Sequence, residues 1–547
     1  MMSMDQAQPV GNRSRQILLM QVLFAFFCAL AVRIYIWKHF PHVIFQHEAD
    51  GVGYIGIARE ILESGSIGRA VHFPPFYPAV IALCAALSGS YESGARLASV
   101  LAGSMAVVPF HLACRHLLSG RGALYAALVA ALFGPFIDYA VQPISQATYL
   151  CLIAAGVWLG LRLAATVSMR YAAAFGLISA AMYLTRPEGI LFFVINVPIL
   201  VWCIIRTDVT LTRKLKVGTA LCCSFGVPVL LYLLRLRNIT GGWTLSGKSA
   251  ATIIGIDASM RLLPNGKTYA EATAAGTGLA TLVPSLSALL TTITGQAARF
   301  GLATYALLPG FAMAIAAMGL FLIWAAVPRA GRGERPAAFI GRYLFFSPML
   351  MLLPVFAFDK ISLSAGYIFP FFPVFIACFA QGAVWLEEEA MAVVKHRLPL
   401  LRGIVRFLPL GAAAVACLML LSFNQFYSEV SSEEYSFMTG QQDFLLRQTG
   451  HWLRANTPRD AGVMARWSNI GFYADRPWTG LADGTIAQVV EYAKRAHMKY
   501  IVIDSDAVPR RRPQLNALLF PDTPQPGLTP VYGREDWLTR VVVYRVE

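Results

Sequence analysis

The chain has 547 residues, of which 57% are hydrophobic and only 14% carry a charge. Soluble domains average about 25% charged residues, so an ordinary soluble enzyme is excluded and a membrane protein is implied. The net charge of +15 is spread over short loops between apolar runs, as the positive-inside rule produces, and this distribution argues against a nucleic-acid partner.

Residues 1–16 are polar and bring Arg13 and Arg15 to the edge of a first apolar run, 17–38. Ala29-Leu30-Ala31 looks like a signal-peptide cleavage site, but the run continues to Trp37. That predicts an uncleaved signal anchor with its N-terminus in the cytoplasm. Residues 39–93 form a first outside loop. Within it Gly51–Glu63 has apolar residues at helical spacing, and Phe76–Leu87 is apolar but short for a span. Both predict helices at the membrane surface, joined by the stiff link HFPPFYP (72–78).

Further apolar runs lie near 94–117, 122–139, 143–163, 171–184, 187–205, 217–235, 300–326, 340–358, 366–386 and 403–424. With the first they make about eleven spans of a length that crosses a bilayer. Counted alternately, the inside loops receive Arg115 and Arg121; Arg162 and Arg170; Arg206, Arg213, Lys214 and Lys216; Arg329, Arg332, Arg335 and Arg342; then Lys395, Arg397, Arg402 and Arg406. This bias puts the tail outside. A second outside loop, 236–299, carries another apolar stretch, Leu279–Thr294, interrupted by Pro284. The tail, 429–547, predicts a small α/β domain: helix Phe444–Ala455, strand Gly462–Arg466, helix Thr485–His497, strand Lys499–Asp504 and a closing strand Arg540–Val546. The expected organisation is thus a transmembrane domain, 1–428, with outside loops 39–93 and 236–299, and a soluble exoplasmic (periplasmic) domain, 429–547. The nine cysteines all lie outside the tail and show no zinc or disulfide spacing.

Glu48 and Asp50 form an acidic pair at the point where the chain should leave the bilayer. A carboxylate there costs free energy unless it has a partner or a task. Attack by a hydroxyl or amine on an anomeric carbon needs such a base, opposite the departing phosphate, and in-line displacement inverts the stereochemistry. Asp50 is the candidate. It is equally placed to cap a helix beginning at Gly51, and the two roles are compatible. In TRPEG (185–189), Arg186 offers a planar fork for phosphate oxygens; alternatively Arg186 and Glu188 close a turn before a helix opened by Pro187. GGWTLSGKS (241–249) matches the P-loop pattern and KYIVID (499–504) a Walker B strand. A P-loop needs a buried strand before it and a helix after it in one α/β domain. Here a membrane span precedes it, so ATP binding is excluded. Lys248 remains as a phosphate contact or a solvated lysine. Arg510–Arg512 reads as a solvated loop or a patch for anionic lipid heads.

The pattern D-x3-Y-x3-A-x6-G (Asp50, Tyr54, Ala58, Gly65) after a first span resembles the GT-C superfamily of membrane glycosyltransferases, in the branch of protein O-mannosyltransferases and lipid A aminoarabinose transferases. PPFYP (74–78), TRPEG, GGWTLSGKS and the small outside tail fit the same branch, and the resemblance covers most of the chain. It implies a polytopic α-helical fold and a polyprenyl-phosphate sugar donor. The acceptor would be a glycan, lipid or protein at the outer face of the cytoplasmic (inner) membrane. It implies that Asp50 acts as, or orients, the general base. Basic residues from the outside loops, Arg59, Arg186 and Lys248, are the candidates for gripping the lipid phosphate, and Tyr54 and Glu188 are candidate substrate contacts. GYIFPFFP (366–373) resembles the family's aromatic–proline span, which makes Tyr367 a donor contact or an interfacial aromatic. Three departures stand out. Gly51 follows Asp50 where many relatives have Glu, with Glu48 as substitute. Pro74 stands where some carry Lys, with His72 as stand-in. QPISQ (142–146) lacks an acid found in relatives, leaving Asp138 as the second acidic candidate and a shared divalent metal an open question. A transporter or lipid flippase would instead line mid-span paths with ionisable groups. A non-catalytic envelope assembly subunit would work through its tail. Charges gathered at span ends and in two loops on one side favour the transferase.

Overall fold

The computed structural model describes residues 12–40, 48–68, 71–247, 260–268, 291, 294–296, 298–300, 308–329, 335–352, 368–397, 410–431, 433–506, 508–535 and 539–547. The chain divides into two compact units. One comprises Met1–His39, Pro74–Leu245 and Leu290–Ser428; the other Phe40–Phe73, Ser246–Leu289 and Glu429–Glu547.

The first unit is helical. Among the described residues, Arg15–His39, Tyr91–Cys114, Gln146–Thr166, Pro187–Arg206, Leu211–Thr240, Phe371–Val394 and Leu410–Ser428 are long and apolar enough to cross a membrane. The pair Gly120–Leu132 and Gly134–Val141, bent by 49°, makes an eighth if taken as one span. Further helices are Phe76–Ser88, Met169–Tyr183, Gly310–Arg329 and Arg335–Phe346, the last continued by a 3-10 turn over Ser347–Leu352. Every predicted run meets a helix in its described part. Gly310–Arg329 lies close against Phe371–Arg397 because glycines face backbone: a Cβ on Gly319 would fall on the Cys378 carbonyl, and one on Gly382 would lie 2.1 Å from the Ile315 carbonyl. Small residues let helix backbones approach in this way.

The bend has a local cause. Pro135 has no N–H, so the Ala131 carbonyl loses its helical partner four residues on. The fully buried Arg33 supplies it, with Nη1 donating to Ala131 O at 2.9 Å and to Ala29 O at 3.0 Å. On the other side of the break the Gly134 N–H donates to Ser422 Oγ at 2.9 Å.

The second unit contains the helices Glu48–Ser64 and Glu433–Asn456 and a five-stranded sheet. Its strands are β1 (Gly462–Ala465), β2 (Trp478–Gly480), β3 (Met498–Asp504), β4 (Leu528–Glu535) and β5 (Arg540–Val546). The order is β2-β1-β3-β5-β4, with β2, β1 and β3 parallel and β5 antiparallel to both β3 and β4. Apolar residues pack on both faces of the sheet, which is why β1 is buried throughout without alternation. The sequence analysis missed β2 and β4. β2 has three residues and an exposed Trp; β4 carries Pro530 and an irregular register beside it. The helix Ile486–Arg495 begins with a Thr485–Gln488 capping box.

Candidate functional site

The helix Glu48–Ser64 starts earlier than the predicted Gly51, so Asp50 does not precede it as a cap but lies inside its first turn. A carboxylate there is favoured by the partial positive charge of the helix N-terminus. Tyr54 and Ala58, one turn apart, form the buried stripe; Tyr54 is 3% exposed and its ring centroid is 4.4 Å from that of Phe73. Gly53 and Gly56 act oppositely. A Cβ on Gly53 would lie 2.3 Å from the Phe73 ring, whereas one on Gly56 would meet nothing within 4 Å. The first glycine admits Phe73 against the helix; the second leaves open space.

That space is a cavity of about 790 Å³ within the second unit. Asp50, Gly56, Arg59 and His72 line it together with Arg466, Phe472, Trp478 and Arg512. Arg59 is held by two carboxylates, Glu63 at 2.9 Å and Asp475 at 3.0 Å. The hydrogen bond to Glu63, with a further contribution from Asp475, raises its pKa above the ordinary guanidinium value. Arg476 is structural. Its five N–H groups reach Thr457 Oγ1 and the carbonyls of Ala474, Asp475, Arg454 and Thr457, so it closes the open carbonyl end of Glu433–Asn456.

The cavity brings together Asp50, Arg59 and His72 of the expected site residues. Tyr54 bears on it through Phe73. Arg186, Glu188 and Asp138 belong to the helical unit. There Arg186 Nε donates to Glu188 Oε1 at 2.5 Å and its guanidinium lies 5.7 Å from the Tyr149 ring centroid; Arg186 precedes, and Glu188 lies within, a 3-10 turn, Pro187–Gly189, that leads into Ile190–Arg206. Asp138 accepts from Gln142 Nε2 at 2.6 Å. Lys248, Tyr367 and the side chain of Glu48 lie outside the described residues. Among the described residues no three His, Cys, Asp or Glu side chains converge to hold a metal.

Sequence reasoning overlooked Arg466, Phe472, Asp475 and Trp478. It read Arg510–Arg512 as one exposed stretch, and this needs correcting: the Arg510 side chain is 80% exposed but that of Arg512 only 2%. Arg512 turns inward because the Leu481 and Arg511 carbonyls accept its N–H groups. The available signal was positional, since Arg466 directly follows β1 and Arg512 comes shortly after β3.

Residues 72–232 match the family model of dolichyl-phosphate-mannose-protein mannosyltransferases. The sequence matches no curated protein. The fold is similar to that of the oligosaccharyltransferase AglB from Archaeoglobus fulgidus in complex with an inhibitory peptide and a dolichol-phosphate. The TM-score is 0.54 at 12% identity, over 90% of this chain and 70% of that one. It is also similar to ArnT from Cupriavidus metallidurans bound to undecaprenyl phosphate, with a TM-score of 0.52 at 14% identity, over 94% of this chain and 97% of that one. Both are GT-C glycosyltransferases.

Proposed function

We propose that this chain, a multi-pass membrane protein with the GT-C fold, moves a sugar from a polyprenyl-phosphate carrier to an acceptor at the outer face of the cytoplasmic membrane, with inversion. The N-terminus would be cytoplasmic and residues 429–547 extracytoplasmic. The observation that carries the reading is Asp50 on the wall of a cavity large enough for a sugar and its acceptor, in a fold whose relatives were captured with dolichol-phosphate and undecaprenyl phosphate.

The chemistry follows from the side chain. The Asp50 carboxylate takes the proton of the acceptor hydroxyl or amine as that atom bonds to the anomeric carbon. The bond from that carbon to the phosphate oxygen breaks, and its electron pair leaves with the polyprenyl phosphate. A carboxylate positioned for this contributes roughly 10²–10⁴-fold to the rate. Lipid phosphate is a competent leaving group, so no nucleotide is required. Arg186 and Lys248 are assigned to the phosphate. Arg59, already bound to two carboxylates, acts at the cavity wall as a fixed positive charge.

The test is mass spectrometry of envelope glycans and glycolipids from cells with the wild-type chain, with none, and with Asp50→Asn or Asp50→Ala. One sugar addition should depend on the wild-type chain and fall at least about 100-fold in both variants, with protein abundance unchanged. Wild-type modification levels in Asp50→Asn would remove Asp50 from the role of base.

A further inference from the structure

The segment RTDVTLTRKLK (206–216) leads into the long span Leu211–Thr240 and sets Arg206, Arg213, Lys214 and Lys216 against a single acid, Asp208. The positive-inside rule accounts for the sign of this charge. It does not account for where the side chains lie. Leu211–Thr240 and Met169–Tyr183 run parallel and pack closely at Gly176, where a Cβ would lie 2.6 Å from the Leu221 carbonyl; farther along, the Tyr183 and Tyr232 rings are 5.8 Å apart. Near the first residues of the two helices lies a cavity of about 280 Å³, lined by Met169, Thr210, Thr212, Arg213, Lys216 and Val217.

No acid lines this cavity, and no carboxylate pairs with its two cations among the described residues. Arg213 donates from Nε to the Val167 carbonyl and from Nη2 to the Thr166 carbonyl, each at 3.3 Å. Both carbonyls stand at the end of Gln146–Thr166, where a helix leaves acceptors open to other donors. They fix the guanidinium but leave its charge uncompensated. Lys216 is exposed and has neither an ion pair nor a hydrogen bond among the described residues. Its neighbour Lys214 differs, since its Nζ donates to the Ile205 carbonyl at 2.7 Å. Asp208 pairs with none of these cations among the described residues.

Apolar side chains are exposed beside these cations. Met169, Leu211 and Leu215 each present more than half of their surface. At the end of a membrane span, basic groups next to an exposed apolar surface mark the boundary between hydrocarbon and headgroups. A soluble anion would meet the cations and leave the apolar part uncovered. A lipid covers it with its acyl chains while its phosphate meets the cations. Phosphate oxygens accept from both an ammonium and a guanidinium.

We propose that this cavity binds the headgroup of an anionic phospholipid, its phosphate held by Lys216 and Arg213 and its acyl chains lying along Met169 and Leu215. Placing that lipid in the cytoplasmic leaflet rests on the orientation given above; the binding itself does not, and it involves no transfer of sugar.

The test is native mass spectrometry of the purified full-length protein in detergent, titrated with phosphatidylglycerol, phosphatidylcholine or glycerol 3-phosphate. Phosphatidylglycerol should bind about tenfold more tightly than phosphatidylcholine, whose own ammonium offsets its phosphate, as a charge-assisted hydrogen bond provides. Glycerol 3-phosphate, which has no acyl chain, should not displace it at equal concentration. Lys216→Gln should erase the preference for phosphatidylglycerol. Because Lys216 holds no other group among the described residues, this variant should melt with the wild type. Arg213→Gln should also erase the preference. Arg206→Gln removes a charge from the same segment but outside the cavity, where the guanidinium lies 5.8 Å from the Trp202 ring centroid, and should keep it. Equal binding of the two lipids would overturn the site. Displacement by glycerol 3-phosphate at equal concentration would make it a site for soluble phosphate instead. Equal losses in Arg206→Gln and Lys216→Gln would assign the binding to the charge of the whole segment and refute the cavity.

Discussion

Gly53 and Gly56 lie three residues apart on one helix and allow the cavity wall to be tested by two single-methyl changes. Replacing Gly by Ala inside a helix gains about 1 kcal/mol, and that gain is common to both positions. At Gly56 the new methyl meets nothing within 4 Å, so Gly56→Ala should be stabilised by up to about 1 kcal/mol. At Gly53 the new methyl would lie 2.3 Å from Phe73 Cε2 and 2.9 Å from Cδ2. Phe73 is 7% exposed and packed on Tyr54, so its ring has little room to yield. Overpacking of this kind costs about 1–3 kcal/mol. Set against the helix gain, Gly53→Ala should fall between neutral and about 2 kcal/mol destabilised, leaving the two variants about 1–3 kcal/mol apart. Thermal unfolding of the full-length protein in one detergent reads the difference, with Gly53→Ala melting below Gly56→Ala. Phe73→Ala in the Gly53→Ala background should cost less than Phe73→Ala alone, because the clash is relieved. If the two alanine variants melt together, Phe73 does not lean on Gly53 and the described wall is wrong.

Other expectations follow from single contacts. Arg476→Lys cannot reproduce a fork of five donors and should destabilise the sheet-containing unit by about 2–3 kcal/mol; hydrogen exchange should rise at the end of Glu433–Asn456, and unchanged protection there would contradict the assigned role. Arg33→Leu deprives the Ala131 carbonyl of its donor, and Pro135→Ala returns a backbone N–H to it. A double-mutant cycle on the two should therefore show a coupling of about 1 kcal/mol in thermal unfolding, and strict additivity would refute the link. Arg59 and Asp475 are each well exposed, at 41% and 37%, so their cycle should give only about 0.2–1 kcal/mol and shrink with added salt.

Membrane character, the succession of apolar helices, and the strands β1, β3 and β5 were legible in the sequence, because hydropathy and residue period are local quantities. Asp50 was legible for a related reason: an acid next to an apolar run is conspicuous in one dimension. Arg33 was not, since it lies within an apolar run and its importance comes from Pro135, about 100 residues away along the chain. Trp478 was not, because its place at the cavity depends on Gly471 and on the Ala465 carbonyl that accepts its indole N–H. Arg512 looked like its exposed neighbours and differs from them only through the carbonyls that converge on it.

The amino-acid order alone thus determined which segments prefer hydrocarbon and which turn polar, since transfer free energy is paid residue by residue. Tertiary structure alone decided that Phe40–Phe73 and Glu429–Glu547 fold into one unit, and that a helix from the first and strand ends from the second enclose a common cavity. The burial and partners of a side chain depend on groups brought together from distant parts of the chain. No local pattern encodes that convergence.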